Sequence, residues 1–440
     1  MKKLLFVCLA VFAAELLSAC SCIGQKSVQE EYKDAAIVFS GKVVFDSLVQ
    51  STSPGGTEVF TKKRFRFSVT RVYKGASRSV VLVETGIGSG DCGIEFQINT
   101  EYIVYAWMVN DSHKIFGTNS CTRTEKFIVN EELALLKLTS KNEKVVLYRQ
   151  KEFGSNPGNL LMNFYLPDSL KQAKLVVVLH GCSQTAKQCA TQTGWNDLAD
   201  KHGFALLYPE QQIINNISNC FNWFNADDLD TISGETASIK NMILWMKYRY
   251  QLDTVCITGL SAGAAMANSV MVNFPELIHK GALFAGGPFG AAKNLNDAGK
   301  AMAGKITKTP AEWAALARAA RPGYTGTYPQ IAIFQGDADY TVDKQNAKEL
   351  VKQWTALHGV DTTTTAAERL SINNPRIVES IYGNSTTGQV VLLFMITKLG
   401  HALPVDPNGK TTRGGKTGFF ATDIDFHSTA WVAEWFGVSY

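Results

Sequence analysis

A serine between two glycines lies where a predicted strand meets a predicted helix. The β-branched run at residues 254–258 ends at Gly259, and small helix-forming residues begin at Ala262, so Ser261 occupies the corner of a Gly-x-Ser-x-Gly pattern. Such a turn holds a serine hydroxyl clear of the sheet, and the two glycines leave room where side chains would clash. We therefore expect Ser261 to be a catalytic nucleophile, with an ordinary Gly-Ser turn as the alternative that five residues alone leave open.

A base and an acid that could activate this serine follow two later strands. Of the seven histidines, only His401 follows both a predicted strand end and a glycine. The imidazole needs a carboxylate that holds its tautomer, and Asp337 and Asp339 both follow the predicted strand at residues 330–335. We favour Asp339 as the triad acid and expect Asp337 to cap its loop. The order Ser261, Asp339, His401 is that of an α/β-hydrolase.

The sequence also predicts backbone N–H groups that could hold an oxyanion. A His-Gly-Cys-Ser motif at residues 180–183 follows an apolar strand, where an α/β-hydrolase contributes an N–H from the loop after its third core strand. We assign the two donors to the amides of Cys182 and Ala262. His180 could be mistaken for the base, but we expect it to brace this loop. Three further histidines are expected to be structural or solvated: His279, His358 and His427.

The remaining side chains suggest substrate contacts but neither a metal nor a cofactor. The sequence contains no H-E-x-x-H motif, no C-x-x-C pair and no glycine-rich phosphate loop. Asp227, Asp228 and Asp230 could bind Ca²⁺, although a solvated turn is the default. Trp223 and Phe224 are candidates for lining an acyl or aryl pocket, with core packing as the alternative for one of them.

The elements that carry these residues predict two domains of different class. Residues 20–140 contain about five short strand-like runs separated by Gly, Pro, Ser and Asn clusters, with one helix at 131–138, which favours a small all-β barrel. Residues 141–158 are a predicted linker. In residues 159–440, which begin with an edge strand, apolar strands alternate with helices. This alternation predicts an α/β domain with a mainly parallel, doubly wound sheet. No inserted lid is predicted, since residues 291–326 contain only an ordinary helix.

Composition excludes several classes of partner. The chain has 440 residues, 45% of them hydrophobic, and a formal net charge of +4, which is typical of a globular protein long enough for two or three domains. No run of like charges points to nucleic acid or to an anionic membrane surface. No transmembrane segment is predicted.

The N-terminus predicts export. Lys2 and Lys3, an apolar stretch and small residues before Cys20 form a signal peptide at residues 1–19. The same residues also fit a bacterial lipobox with Cys20 as the lipidated residue. Of the nine cysteines, Cys8 leaves with the signal, and the even number that remains favours disulfides in an oxidising compartment over a lipidated Cys20. We expect a secreted or cell-envelope protein.

A set of cysteine motifs and strand-like runs lies in the N-terminal half. It consists of Cys-Ser-Cys at residues 20–22, the run at 35–43, Cys-Gly at 92–93 before a strand at 102–106, and Cys-Thr-Arg at 121–123. Together these residues resemble a netrin-type module, a family that includes the tissue inhibitors of metalloproteinases. The resemblance implies an OB-like barrel in which Cys20 pairs with Cys92 and Cys22 with Cys121. In the inhibitors the first cysteine chelates a target's zinc, but we favour a structural or surface-binding role here, because the third disulfide of the animal inhibitors has no counterpart.

A third pattern runs from about residue 155 to residue 436. It consists of His-Gly-Cys-Ser-Gln-Thr at 180–185, Thr-Gly-Trp-Asn at 193–196, the run at 203–211, Cys-Phe-Asn-Trp-Phe at 220–224 and Gly-Leu-Ser-Ala-Gly at 259–263. These residues closely resemble the polyhydroxybutyrate depolymerase family of esterases, which overlaps with carbohydrate esterase family 1 and its feruloyl and acetylxylan esterases. The resemblance implies the triad named above and a disulfide between Cys182 and Cys220. Ala264 and Gln335 replace a glycine and a histidine that family members often carry.

The sequence as a whole predicts a serine esterase that cleaves carboxylic esters through an acyl-enzyme. A site without a lid would suit a polymer chain end or a side-group ester better than a buried lipid. The family resemblance implies a polyester such as polyhydroxybutyrate as the first substrate class. Feruloyl or acetyl esters of plant cell-wall polysaccharide are the alternative substrates, and small soluble esters also suit the same triad. A binding or inhibitor-like protein that acts through its N-terminal module is the alternative of a different class.

Overall fold

The chain divides into two units, Met1–Lys141 and Asn142–Tyr440. The computed structural model describes residues 22, 24–52, 59–88, 91–140, 145–362, 367–370, 374–384, 388–409 and 413–439. The predicted signal peptide at residues 1–19 and the lipobox cysteine, Cys20, lie outside the described residues. No helix of the described part is both long and apolar enough to cross a bilayer.

Strands dominate the first unit. Its elements are, in order, α1 Val28–Asp34, β1 Ile37–Thr52, β2 Val59–Lys74, β3 Val80–Thr85, β4 Glu101–Asn110, β5 Ile115–Gly117, β6 Glu125–Lys126 and α2 Val129–Thr139. The strand order is β1-β2-β3-β5-β4-β6, and β1 pairs with β4 as well as with β2. Because successive side chains of a strand point to opposite faces, one face of these strands buries a shared cluster that includes Phe39, Phe67 and Val104.

Two features of this unit differ from the sequence prediction. Residues 36–41 and 42–45, predicted as separate runs, fall almost entirely in β1, where shifts of register bend the strand without ending it. A second helix, α1, accompanies the one that was predicted, and it begins at a capping box formed by Ser27 and Glu30. Only Glu31 of its seven residues is buried, so no apolar stripe marked this helix in the sequence.

The cysteines are distributed between disulfides and buried thiols. Cys22 is bonded to Cys121, as the resemblance implied. Cys92 is also disulfide-bonded, and its implied partner, Cys20, lies outside the described residues. Cys189 and Cys256 are free and buried.

One ten-stranded sheet forms the centre of the second unit. Its strands are β7 Tyr148–Gln150, β8 Leu161–Tyr165, β9 Lys174–Leu179, β10 Ala205–Glu210, β11 Thr254–Leu260, β12 Lys280–Phe284, β13 Gln330–Gly336, β14 Ala367–Leu370, β15 Ile377–Asn384 and β16 Gly388–Ile396, and a separate pair follows, β17 Leu403–Val405 and β18 Ala421–Asp423. Its helices are α3 Ala186–Thr193, α4 Trp195–His202, α5 Gly234–Tyr250, α6 Ala262–Asn273, α7 Leu295–Met302, α8 Pro310–Ala320, α9 Gln345–His358 and α10 Ser428–Trp435. The strand order in the sheet is β14-β15-β16-β13-β12-β11-β9-β10-β8-β7.

The six central strands of this sheet are parallel, and the two strands at each end are antiparallel. The central strands are buried along nearly their whole length, as in β9 and β13, which fits a sheet covered on both faces. Their carboxyl ends share one edge, and the loops that follow β9, β11, β13 and β16 meet there. This edge carries the residues that the sequence singled out.

The ends of the sheet differ from the prediction. β7 lies inside the predicted linker at residues 141–158 and pairs with β8, so the strand predicted near residue 159 is not the edge. The three residues of β7 are polar or aromatic and gave no strand signal of their own. The antiparallel strands β14 and β15 and the short helices α3 and α7 were also absent from the prediction.

Candidate active site

Ser261 occupies a sharp turn between β11 and α6. Its φ of 56° and ψ of −123° lie in a region that residues other than glycine seldom adopt. A Cβ at Gly259 would collide with the carbonyl oxygen of Gly263, and a Cβ at Gly263 would collide with that of His180. The Ser261 amide donates to the carbonyl of Phe284 in β12 at 2.8 Å. The turn therefore requires both glycines and holds the serine at the carboxyl edge of the sheet.

His401 and Asp339 form a direct pair on the same edge. They follow β16 and β13, which are parallel neighbours. Nδ1 of His401 lies 2.8 Å from Oδ2 of Asp339. Oδ1 of Asp339 accepts the backbone N–H groups of Thr341 and Val342, each at 2.9 Å. The carboxylate is thus fixed from one side by its own loop and presents its other oxygen to the imidazole.

The surroundings of Asp339 favour its ionised form. Its side chain is fully buried, and burial by itself would raise the pKa. The hydrogen bonds from His401 and from the N–H groups of Val342 and Thr341 outweigh burial, so the pKa of Asp339 lies below its ordinary value. An ionised carboxylate beside Nδ1 keeps the imidazole proton there and leaves Nε2 free to accept another.

Asp337, the other aspartate of this loop, makes a different contact. Its Oδ1 accepts the backbone N–H of Lys398 at 2.7 Å, and its own N–H donates to the carbonyl of Ile396 at 3.0 Å. It therefore fastens the segment that leads from β16 to His401, instead of capping its own loop as the sequence suggested.

His180 is enclosed beneath the loop that follows β9. It is 1% exposed, its Nδ1 donates to the carbonyl of Gly181 at 2.8 Å, and its Nε2 accepts the N–H of Gln211 at 3.0 Å. Burial lowers its pKa to about 4, so the ring is neutral near pH 7. These contacts suit a brace better than a base. His358 and His427 also bond to backbone carbonyl groups.

Ser261 borders a cavity of about 570 Å³. Trp223 and Phe224 line this cavity with their rings in an edge-to-face arrangement, 5.8 Å between centroids. Among the described residues that line it, none carries a charged side chain. Further apolar walls come from the loop after β10 and from α7: Ile217, Leu295, Ala298, Ala301 and Met302.

Cys182 and Ala262, the residues assigned to the oxyanion hole, border the same cavity. A disulfide joins Cys182 to Cys220 and thereby connects the loop after β9 to the loop after β10. The N–H of Ser183 donates to the carbonyl of Ser218 at 2.7 Å. Among the described residues, no hydrogen bond engages the backbone N–H of Cys182 or Ala262.

Ser261 and His401 share no hydrogen bond among those of the described residues. Hydrogen bonds of this kind are often long in an unliganded enzyme and shorten when substrate binds. Val342 connects the two halves of the site, because it lines the cavity beside Ser261 and donates its N–H to Asp339. The structure thus pairs His401 with Asp339, and one cavity is bordered by Ser261, Cys182, Ala262 and the two aromatic residues.

Sequence reasoning missed the wall that α7 provides. The segment at residues 291–326 was expected to leave the site uncovered, whereas Leu295, Ala298 and Met302 of α7 form one side of the cavity. Their spacing of three and four residues is an apolar helical stripe, so a signal existed in the sequence. It was too short to be distinguished from ordinary core packing.

The acidic turn at residues 227–230 is held by bonds within itself. Oδ1 of Asp230 accepts the N–H groups of Ile232 at 2.7 Å and Ser233 at 3.0 Å, which is a capped turn. In the part of the chain that the structure describes, another set of carboxylates has oxygens within 4.8 Å of one another: Asp406, Asp423 and Asp425. Asp406 of this set is buried, and acidic groups at a protein surface are common without an ion.

Comparison with known proteins gives two family matches. Residues 160–374 match the model of a family described as "Esterase PHB depolymerase". Residues 18–135 match the family described as "Tissue inhibitor of metalloproteinase". The two matches fall in different units of the chain.

Individual relatives agree with the first match. Poly(3-hydroxyalkanoate) depolymerase C of Paucimonas lemoignei is 36% identical over 302 residues, which are 68% of this chain and 72% of the relative. Feruloyl esterase B of Talaromyces stipitatus is 32% identical over 272 residues, covering 59% of this chain and 73% of the relative. Among solved structures, an acetyl xylan esterase from Aspergillus awamori superposes with a TM-score of 0.58 at 25% identity, covering 67% of this chain and all of the other.

Proposed function

The chain belongs to the esterase PHB depolymerase family of carboxylic ester hydrolases, and from this premise we propose that Ser261, Asp339 and His401 form its catalytic triad. Its second unit has an α/β-hydrolase-like fold, as the similarity to a solved acetyl xylan esterase indicates. The observation that carries the proposal is the 2.8 Å bond between His401 and Asp339, on the sheet edge that also presents Ser261 at its strained turn.

The proposed reaction is acyl transfer in two steps. Nε2 of His401 takes the proton of Ser261 as its Oγ bonds to the ester carbonyl carbon, and the carbonyl oxygen becomes an oxyanion held by the N–H groups of Cys182 and Ala262. When the carbonyl re-forms, the bond to the alcohol oxygen breaks and the alcohol leaves with the proton from His401. Water then attacks the acyl-enzyme by the same route and releases the acid. Asp339 stabilises the imidazolium in both steps.

The cavity favours an ester whose bound part is uncharged and larger than an acetyl group. Volumes of about 300–1,000 Å³ suit ligands of many atoms, and none of the described residues that line this cavity of about 570 Å³ carries a charged side chain. A short segment of an aliphatic polyester meets both conditions. Feruloyl esters are the second candidate, because Trp223 and Phe224 offer aromatic faces to a planar ring.

For the first unit we propose that residues 20–140 form an OB-type barrel that docks the enzyme on its substrate. The pairing of β1 with both β2 and β4 supports a closed barrel. Docking is supported by large apolar side chains that β1 and β2 leave in solvent: Phe45, Leu48, Val59 and Phe60, between 46% and 67% exposed. The esterase domain would then comprise residues 159–440, together with β7. Disulfides in both units support a secreted or cell-envelope location.

The test is ester hydrolysis by the purified protein beside Ser261→Ala, on poly(3-hydroxybutyrate) granules, methyl ferulate and acetylated xylan. We expect release from the granules, weaker release from the ferulate, and at least a ~10³-fold loss in the variant on each substrate that the protein cleaves. Release of acetate from acetylated xylan, with no release from the other two substrates, would contradict the inference that the cavity binds a group larger than acetyl. Undiminished release by Ser261→Ala would overturn the triad.

A further inference from the structure

One wall of the cavity is a long loop that must be held in place. Residues 211–224 connect β10 to the short 3-10 helix Ala226–Leu229 without regular structure. Asn222, Trp223 and Phe224 of this loop border the cavity, as does Ile217, which is 87% exposed. Because a surface loop of this length has few constraints of its own, its position depends on anchors from the rest of the fold.

Glu235, the second residue of α5, is one such anchor. Its side chain is fully buried. Its Oε2 accepts the backbone N–H of Asn222 at 2.8 Å, and its Oε1 accepts the side-chain N–H of Asn222 at 2.9 Å. Oε1 also accepts a hydrogen bond from Nε2 of Gln211. Three N–H groups from both ends of the loop therefore converge on one carboxyl group.

These contacts extend to the remainder of the site. Gln211 also donates from Nε2 to the carbonyl of Cys220 at 3.0 Å, and its backbone N–H donates to His180. Asn222 in turn accepts a bond from Asn216 at 2.9 Å. Glu235 is thus connected through single intermediates to the loop after β9, to the disulfide-bonded cysteine and to the tip of the cavity wall.

The surroundings of Glu235 disfavour the ionised form of its carboxyl group. Burial and the neighbouring charge of Asp228 raise the pKa of Glu235 to about 8, although its three N–H donors favour ionisation. A neutral amide of the same size would avoid that cost. Such an amide cannot accept all three bonds, because either orientation turns its NH₂ group toward an N–H donor. The ionised carboxylate, which predominates above about pH 8, is therefore electrostatically unfavourable here but matches all three donors of the loop, which the amide does not.

We propose that Glu235 is a positioning residue that fixes the substrate wall formed by residues 211–224. This proposal rests on the proposed esterase function of the same cavity. Glu235 does not border the cavity itself and acts through Asn222 and Gln211. Its removal therefore changes how well substrate is bound more than how fast bound substrate reacts.

The first variant is Glu235→Gln, assayed on a soluble ester at pH 9, where the wild-type carboxyl group is ionised. We expect KM to rise about tenfold, the effect of one lost hydrogen bond to a charged group, while kcat stays within about threefold. The melting temperature should stay within about 5 °C of wild type, because the amide also removes the cost of burial. Glu379→Gln is the matched control: it neutralises another buried carboxyl group in β15, at the far end of the sheet, and should leave KM unchanged.

An exchange of partners separates positioning from a general loss of structure. Asn222→Asp places a carboxylate against Glu235 and should raise KM more than Glu235→Gln does. In the double variant, the amide introduced at position 235 can accept the backbone N–H of residue 222 and donate to the carboxylate introduced there, so KM should fall below that of either single variant. An unchanged KM in Glu235→Gln would overturn the proposal. So would a double variant whose KM change equals the product of the fold-changes of the two single variants. Absence of wild-type activity would instead contradict the esterase function itself.

Discussion

Replacement of Asp339 by asparagine should nearly abolish turnover while leaving the protein folded. Two backbone N–H groups, from Thr341 and Val342, point at Oδ1 of Asp339 at 2.9 Å. They will hold the oxygen of the introduced amide in that position and so turn its NH₂ group toward His401. Nδ1 must then accept a hydrogen bond instead of donating one, which moves the imidazole proton to Nε2. In that tautomer Nε2 cannot take the proton of Ser261.

The expected loss is about 10⁴-fold in kcat at pH 7, or roughly 5 kcal/mol of transition-state stabilisation. KM on a soluble p-nitrophenyl ester should change less than about threefold, because Asp339 does not border the cavity. Asp337→Asn is the matched control: it removes a carboxylate two residues away that bonds to Lys398, and it should retain at least about a tenth of kcat. If Asp339→Asn kept a tenth of wild-type kcat, or if Asp337→Asn were the more damaging change, the assignment of the triad acid would be wrong.

Three further predictions concern the surroundings of the triad. Gly263→Ala should lower the free energy of unfolding by about 2–4 kcal/mol and abolish esterase activity, because its Cβ would collide with the carbonyl oxygens of Leu179 and His180; wild-type melting would contradict this. His180 binds its proton more weakly when folded, with a pKa of about 4, so its contribution to stability is full above pH 6.5 and decreases as pH falls from 6.5 to 4. The free energy of unfolding should decrease by about 3 kcal/mol over this pH range, and this decrease should be absent in His180→Asn. Trp223→Ala should raise KM for methyl ferulate about tenfold and leave p-nitrophenyl acetate nearly unchanged, and equal effects on both esters would remove Trp223 from the pocket.

The sequence was most informative where function depends on neighbours along the chain. The turn at Ser261 is specified by glycines two residues away on either side. A Cβ added at either position would collide with the backbone, which explains why no other residue suffices. The central strands were equally predictable, because continuous apolar runs that alternate with helices are typical of a parallel sheet covered on both faces. Asp339 and His401 were found because each follows one of these strands.

Features that depend on contacts between distant parts of the chain could not be predicted from the sequence. β7 is three residues long and is a strand only because β8 offers it an edge. The cavity wall at α7 was missed because a short apolar stripe on a helix cannot be distinguished, in the sequence alone, from one that packs into the core. In the sequence Glu235 resembles any acidic residue in the first turn of a helix, where a negative charge interacts favourably with the helix dipole. Its importance follows from Asn222 and Gln211, which the fold alone brings to its side chain.

The most direct test of the central claim is to label the protein with a fluorophosphonate and to locate the adduct by mass spectrometry of its peptides. Such probes bond to a serine that a neighbouring base has activated, so we expect one adduct per chain, on Ser261. No adduct should form in Ser261→Ala, and labelling should be at least about a hundredfold slower in His401→Ala. An adduct on another residue, or labelling of Ser261 at an undiminished rate without His401, would contradict the proposed triad.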